Sequence, residues 1–350
     1  MTTPSCRLAV AACTSGLLCA ASASAQSNGV VIYGLFDAAM RHVNNADANR
    51  ASLNTMEDGI FTGSRLGFRG REDLGDGMAA VFTLEAGFDP SSGTSLQGTT
   101  TADFGQAAAS RFFGREAYVG LRGTTWGVTA GHQYTLAHAM SARFQPLGNP
   151  NSAAESIFSS HHIARQDNML RVDAKLGGVE LAASRTFGEV AGSDGSGAWA
   201  LSAGYGAGPF WIGAYAQQLK NLADTETRKI LGLGCNYKVV SSLTFYAGAM
   251  RRTNAASPQV NEVWTLGMNF DITPLVTLSA AQLVDDQSGS AALEGSRKVS
   301  YVTANYRFSP RTDVYAVVDH NSVQGGYAKP AFMGTKGTQD GIALGLRHRF

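Results

Sequence analysis

The sequence predicts an all-β chain that closes as a transmembrane antiparallel β-barrel of about sixteen strands. Three observations lead there: an N-terminal export signal, long strands with strict two-residue alternation, and connections that alternate short and long. No stretch after Ala25 holds the run of ~18 apolar residues that a membrane helix needs.

The alternation is clearest from Ser64 to Phe88. Arg65, Gly67, Arg69 and Arg71 share one face of the first arm, and Leu66, Phe68 and Gly70 share the other. Glu72 to Gly77 read as a tight Asp/Gly turn. Beyond it Met78, Ala80, Phe82, Leu84, Ala86 and Phe88 alternate with Ala79, Val81, Thr83, Glu85 and Gly87. Each arm runs to roughly ten residues, the length that crosses a bilayer at a tilt rather than the five or six of a soluble sandwich. With one face against lipid, the charged face must meet water inside a closed barrel.

The chain has 350 residues, a formal net charge of +1 and 16% charged residues, so no basic excess points to nucleic acid. Mean hydropathy is −0.08. Residues 1–25 carry Arg7, an apolar run and Ala23-Ser24-Ala25 before Gln26, the pattern of a secretory signal cleaved after Ala25. A lipid-attachment reading of Val10-Ala11-Ala12-Cys13 competes, but the apolar run before Cys13 is short. Cys6, Cys13 and Cys19 lie inside the signal, so the mature chain keeps only Cys235 and no intramolecular disulfide is possible. Cys235 falls on the apolar face of its strand. Residues 26–350 form one barrel domain in this reading.

Taken in order, Val30–Val43 is the first strand, with Tyr33, Asp37 and Arg41 opposite Ile32, Phe36 and Met40. A polar loop reaches to Gly59, the Ser64–Phe88 hairpin follows, and Asp89–Ser110, rich in Ser, Thr, Gly and Ala, is an external loop. Phe112–Arg122 and Gly127–Thr135 make a second hairpin. From Leu136 to Asp167 the alternation fails over a stretch too long for an idle connection. It then resumes in eleven strands from Asn168 to Phe350. Aromatic residues near strand ends (Trp199, Tyr205, Phe210, Trp211, Tyr237, Trp264, Phe270, Tyr306 and Phe308) suit the interfacial girdles of a membrane barrel.

The segments VVIYGLFDAA, SRLGFRGREDLGDGMAAVFTLEAGF, FGREAYVGLRGTTWGVTAGHQYT, RQDNMLRVDAKLGGVELAASRTFGE, YRFSPRTDVYAVVDHNS and the ending GLRHRF together resemble the general porins of Gram-negative bacteria, the trimeric sixteen-stranded family of neisserial and Burkholderia type. The resemblance covers essentially the whole mature chain. It implies an outer-membrane homotrimer whose barrels each pass small hydrophilic solutes and ions by passive diffusion, without a cofactor. It also implies that the third external loop, at the position of Leu136–Asp167, folds inward and narrows the pore. Outer-membrane lipid and lipopolysaccharide, the barrel assembly machinery and periplasmic chaperones are the implied partners. Where the family commonly carries arginine before this loop, this chain has His132. Leu344, Leu346, His348 and Phe350 share one parity and resemble the C-terminal signature that the assembly machinery reads.

Charged side chains ringing a lumen set ion preference. The basic wall candidates are Arg65, Arg69 and Arg71, with Arg122, Arg165, Arg171, Lys175, Arg228 and His132. The acidic candidates are Asp37, Glu85, Glu116, Glu180, Glu155 and Asp167. The arginine ladder has two readings, as pore wall or as strand-bracing partners of carboxylates. The slight basic excess predicts a weak anion preference. His138, His161 and His162 read as solvated loop histidines, without the spacing of a metal site. The rival classes are an adhesin or structural barrel and a barrel hydrolase. For the latter, no G-x-S-x-G, H-E-x-x-H, phosphate loop or G-x-G-x-x-G occurs.

Overall fold

A computed structural model describes residues 28–97, 104 and 111–350. The expected export signal, with Cys6, Cys13 and Cys19, lies outside the described residues, as does most of the second half of the Asp89–Ser110 loop.

Among the described residues, eighteen strands form one sheet. The first seven are β1 (Gly29–Val43), β2 (Leu53–Asp58), β3 (Arg65–Gly75), β4 (Met78–Phe88), β5 (Ser95–Leu96), β6 (Glu116–Arg122) and β7 (Trp126–Tyr134). After the helix α1 (Leu136–Ser141) come β8 (Arg165–Leu176), β9 (Val179–Thr186), β10 (Ala198–Ala207), β11 (Phe210–Lys220), β12 (Thr227–Val240) and β13 (Leu243–Asn254). The last are β14 (Val260–Thr273), β15 (Val276–Ser288), β16 (Gly295–Arg307), β17 (Thr312–Gly325) and β18 (Thr338–Arg349). Short strands β2 and β5 belong to loops, leaving sixteen antiparallel staves. The sheet closes because β1 pairs with β18 from Leu35↔Arg349 to Val43↔Gly341. Closure removes the free edges that an open sheet cannot carry into lipid. Among the described residues no helix is long and apolar enough to cross a membrane.

All sixteen expected strands are present, with displaced ends. β3 runs on to Gly75, into the expected Glu72–Gly77 turn, through a register shift between Asp73 and Gly75. The turn itself is Asp76-Gly77, both at positive φ (50° and 75°), the twist that a two-residue hairpin favours. β6 begins at Glu116 rather than Phe112, and β8 begins at Arg165, so Arg165 and Asp167 stand on a strand and not in the loop. Within the expected Asn44–Gly59 loop, β2 pairs with β1.

The alternation sorts the side chains as expected. Ile32, Met40, Val119, Leu231 and Leu344 are among the exposed apolar residues on one parity, while the other parity is buried or polar. Cys235 stands on the apolar parity beside exposed Leu233 and Tyr237. Eight of the nine expected girdle aromatics are exposed; Trp211 is the correction, buried on the inner parity of β11. Proximity to a strand end suggested the girdle, but an odd position on β11 points inward with Gly213 and Tyr215.

Phe350 closes the ring from outside. Its N–H donates to the Gly34 carbonyl (3.1 Å), and the Gly34 N–H donates back to the Phe350 carbonyl (3.0 Å). The Phe350 ring lies over Gly34, where a Cβ would have no room.

Candidate functional site

Residues 135–164 leave the strand rhythm because they are built to pack. Thr135 caps α1, its hydroxyl accepting from the His138 N–H (3.2 Å), and the Asn149 amide donates to the His138 carbonyl (2.6 Å). Phe144, Ile157 and Phe158 are completely buried with Trp211, Tyr215 and Leu219 of β11. Beyond this apolar cluster, polar ties reach the buried parity of distant strands. Arg41 of β1 binds Glu155 (2.9 Å) and Asp319 of β17 (2.8 Å). Arg297 of β16 donates to the Ala153 carbonyl (2.7 Å), and Asn321 of β17 to the Ala154 carbonyl (3.0 Å). His161 pairs with Asp285 of β15 (2.7 Å).

The loop histidines differ from expectation, being buried rather than solvated: His161 and His162 are 3% and 2% exposed. His138 Nδ1 meets His162 Nε2 at 3.2 Å, a hydrogen bond that needs one ring neutral. Burial pushes the His162 imidazole down to about 3 and holds His138 well below its ordinary range, with the neighbouring imidazole acting the same way. Among the described residues, no set of three or more His, Cys, Asp or Glu side chains is arranged to hold a metal ion.

Two further acidic candidates need correction. Asp37 and Glu155 are both fully buried, so neither borders open space. Asp37 accepts from the Tyr315 hydroxyl (2.6 Å) and from the Thr62 hydroxyl (2.9 Å) and N–H (3.0 Å), and Glu155 is held by Arg41. A carboxylate on a polar parity can face water or a partner, and here the partner is far away in sequence.

The other candidates gather on β1 and β3–β9. Tyr33, Arg65, Arg69, Arg71, Glu85 and Arg122 line a recess of about 510 Å³, which Glu116 also borders. Glu85 is its buried centre, taking Arg115 at 2.6 Å, the Tyr33 hydroxyl at 2.8 Å and Arg65 at 3.6 Å. Glu116 stands directly across from Glu85 in the β4–β6 register. The Arg69 guanidinium lies 3.9 Å from the centre of the Tyr33 ring, and Arg71 is exposed. Arg122 and Arg171 share Asp173, at 3.3 and 3.5 Å. Thus the ladder fits both readings: Arg65 braces a carboxylate, while Arg69 and Arg71 hold no carboxylate among the described ion pairs.

Nearer the loop 135–164, Arg165 donates to the Tyr134 hydroxyl (2.5 Å), which also accepts from Arg115 (2.9 Å). His132 joins Asp167 at 2.7 Å and the Gly114 carbonyl at 3.1 Å, and Arg111 grips the same Asp167 at 2.9 and 3.0 Å. A second recess of about 280 Å³ lies between Ala139, Met140 and Arg143 of the loop and Arg171, Lys175 and Glu180 of β8 and β9. Arg228, in contrast, stands over the Phe104 ring (4.5 Å) and donates to the His161 carbonyl (3.3 Å).

Sequence reasoning missed Tyr33, Arg111, Arg115, Tyr134 and Asp173. Tyr33 and Asp173 share the parity of the charged residues around them. Arg115 precedes β6 in the Phe112–Arg122 stretch read as strand, where parity misassigns it, and Arg111 falls between that stretch and the loop before it.

A family model described as Gram-negative porin matches residues 8–326. An outer membrane porin protein of Bordetella pertussis is 33% identical over 165 residues, 43% of this chain and 40% of that protein. The major outer membrane protein P.IB of Neisseria meningitidis is 24% identical over 344 residues, 92% of this chain and 94% of the relative. Among solved structures, an anion-selective porin from Comamonas acidovorans aligns with a TM-score of 0.75 at 18% identity, over 92% of this chain and 99% of that one. OmpT of Vibrio cholerae in its trimer form aligns with a TM-score of 0.67 at 13% identity, over 92% and 99%. At such identities the structural likeness speaks for the fold alone. Family and fold point to a channel rather than an enzyme. With a family match across most of its length and a closed sixteen-stave barrel, the chain belongs to the Gram-negative porin family, as an outer-membrane diffusion channel.

Proposed function

We propose that small hydrophilic solutes and ions pass down their own gradients through an aqueous gap between the loop 135–164 and the wall of β1 and β3–β9, with a weak preference for anions. In this reading the loop folds into the lumen and forms the constriction. What carries it is the split of the buried parity. The loop is tied chiefly to Arg41 of β1 and to β11–β17, with an ion pair from Arg143 to Glu180 of β9, and the charged recesses lie against β3–β9 and the Tyr33 end of β1. Arg69, Arg71, Arg122, Arg171 and Lys175 outnumber Glu116, Asp173 and Glu180 along that gap, and Arg65 with Arg115 more than offsets Glu85. A water-filled passage lined this way concentrates anions and repels cations. The structurally similar porin from Comamonas acidovorans is anion-selective, which agrees. Reversal potentials of the purified protein across a planar bilayer in a salt gradient should have the anion-selective sign. A clear cation preference would overturn the assignment.

We also propose that three copies assemble, as the Vibrio relative does in its trimer form, and that Leu346, His348 and Phe350 carry the assembly signal. All three stand on the outward parity of the last strand or its end, where another protein can read them before closure. Deleting Phe350 should lower the amount of folded trimer in outer membranes; unchanged amounts would sink this role.

A further inference from the structure

Four glycines on neighbouring staves stand directly opposite one another: Gly204↔Gly213, Gly213↔Gly234 and Gly234↔Gly248, on β10, β11, β12 and β13. All four occupy the inward parity. A glycine supplies no cross-strand side-chain pair, so the row weakens the sheet locally. What it permits is close approach, and the loop uses it.

The Met140 sulfur lies 2.7 Å from the position a Cβ would take at Gly213, and the Phe144 Cβ lies 2.6 Å from that position at Gly248. At Gly234 the Phe144 ring itself occupies the place of a Cβ. One step along, Pro146 Cγ lies 2.6 Å from the Cβ position of Gly267 on β14. Phe144 cannot easily yield. It is fully buried, stacks on Tyr215 (6.1 Å, 14°), and meets Phe158 (6.3 Å) and Trp211 (6.2 Å). Behind it, Arg143 lies 3.7 Å from the Trp211 ring centre and binds Glu180 at 2.6 Å.

We infer that this glycine row is a seat into which Phe144 is keyed, and that the fit sets the width of the passage. The inference rests on the reading that the loop borders that passage. Carbon atoms sit comfortably about 3.5 Å or more apart, so a methyl group on the row displaces the loop by about 1 Å toward the gap. Removing the ring has the opposite effect, because the loop loses its key and can settle closer to the wall.

Single-channel conductance in planar bilayers tests the seat. Gly234→Ala should conduct less than the native channel and Phe144→Ala more. In the double variant the methyl enters the space the ring has left, so Gly234→Ala should lower conductance far less on the Phe144→Ala background than on the native one. Native conductance in both single variants, or a double variant that merely sums them, overturns the seat. If Gly234→Ala gives no folded channel, the double variant decides: recovery of folded channels supports the seat and continued failure overturns it. Ala139→Trp separates this from the underlying reading, since Ala139 is exposed on the loop face that borders β8 and β9. Unchanged conductance in Ala139→Trp removes the reading itself. A fall there, with native behaviour at Gly234 and Phe144, removes only the seat.

Discussion

Staves β10–β14 and staves β3–β9 have the same exterior and contrasting interiors. Outside, both carry mostly apolar side chains on the outward parity, because both meet the same solvent, lipid. Inside, β10–β14 present a row of glycines with Trp211, Tyr215, Met250 and Val263, all covered by the loop 135–164. The opposite staves present Arg65, Arg69, Arg71, Glu85, Glu116, Arg122 and Arg171 around open recesses. A β-barrel therefore does not need a uniform lumen. In the proposed reading, one arc of wall is a dry core for the loop while the other stays wet, and the passage is displaced toward the charged arc.

Two arginines with similar partners sharpen the contrast. Arg41 is 4% exposed and joins Glu155 and Asp319, both buried, on the loop-covered side. Removing it strands two carboxylates away from water, and Arg41→Gln should cost about 3–5 kcal/mol. Arg65 meets Glu85 at 3.6 Å on the wetter side, its side chain 22% exposed, and Glu85 keeps Arg115 and Tyr33 when it is gone. Arg65→Gln should cost about 1 kcal/mol or less. Thermal unfolding of the two folded variants measures the difference; equal shifts would erase the distinction between a dry arc and a wet one.

Much of the barrel was legible because a two-residue period is written along each strand separately. Leu66, Phe68, Phe82 and Leu84 could be sorted from Arg65, Arg69 and Glu85 without any knowledge of neighbours. The inner site was less legible, because its contents depend on registry between strands. Asp37 and Glu155 were sorted as polar, but the partners that bury them, Tyr315 for one and Arg41 for the other, lie 278 and 114 positions away. The glycine row is invisible in any one strand, since only the register aligns Gly204, Gly213, Gly234 and Gly248. His161 and His162 looked like solvated loop residues for the same reason: Asp285, the partner of His161, lies 124 positions on.

The most direct test of the displaced passage is cysteine labelling on a Cys235→Ala background, which removes the free thiol found among the described residues. Arg69→Cys lies on the charged arc, and Met250→Cys lies on the inward parity of the covered arc, where Met250 is 3% exposed. A small water-soluble thiol reagent should modify Arg69→Cys in the folded protein and change its conductance, while leaving Met250→Cys unmodified. Equal labelling of the two positions, or an inert Arg69→Cys, would contradict a passage displaced toward the charged arc.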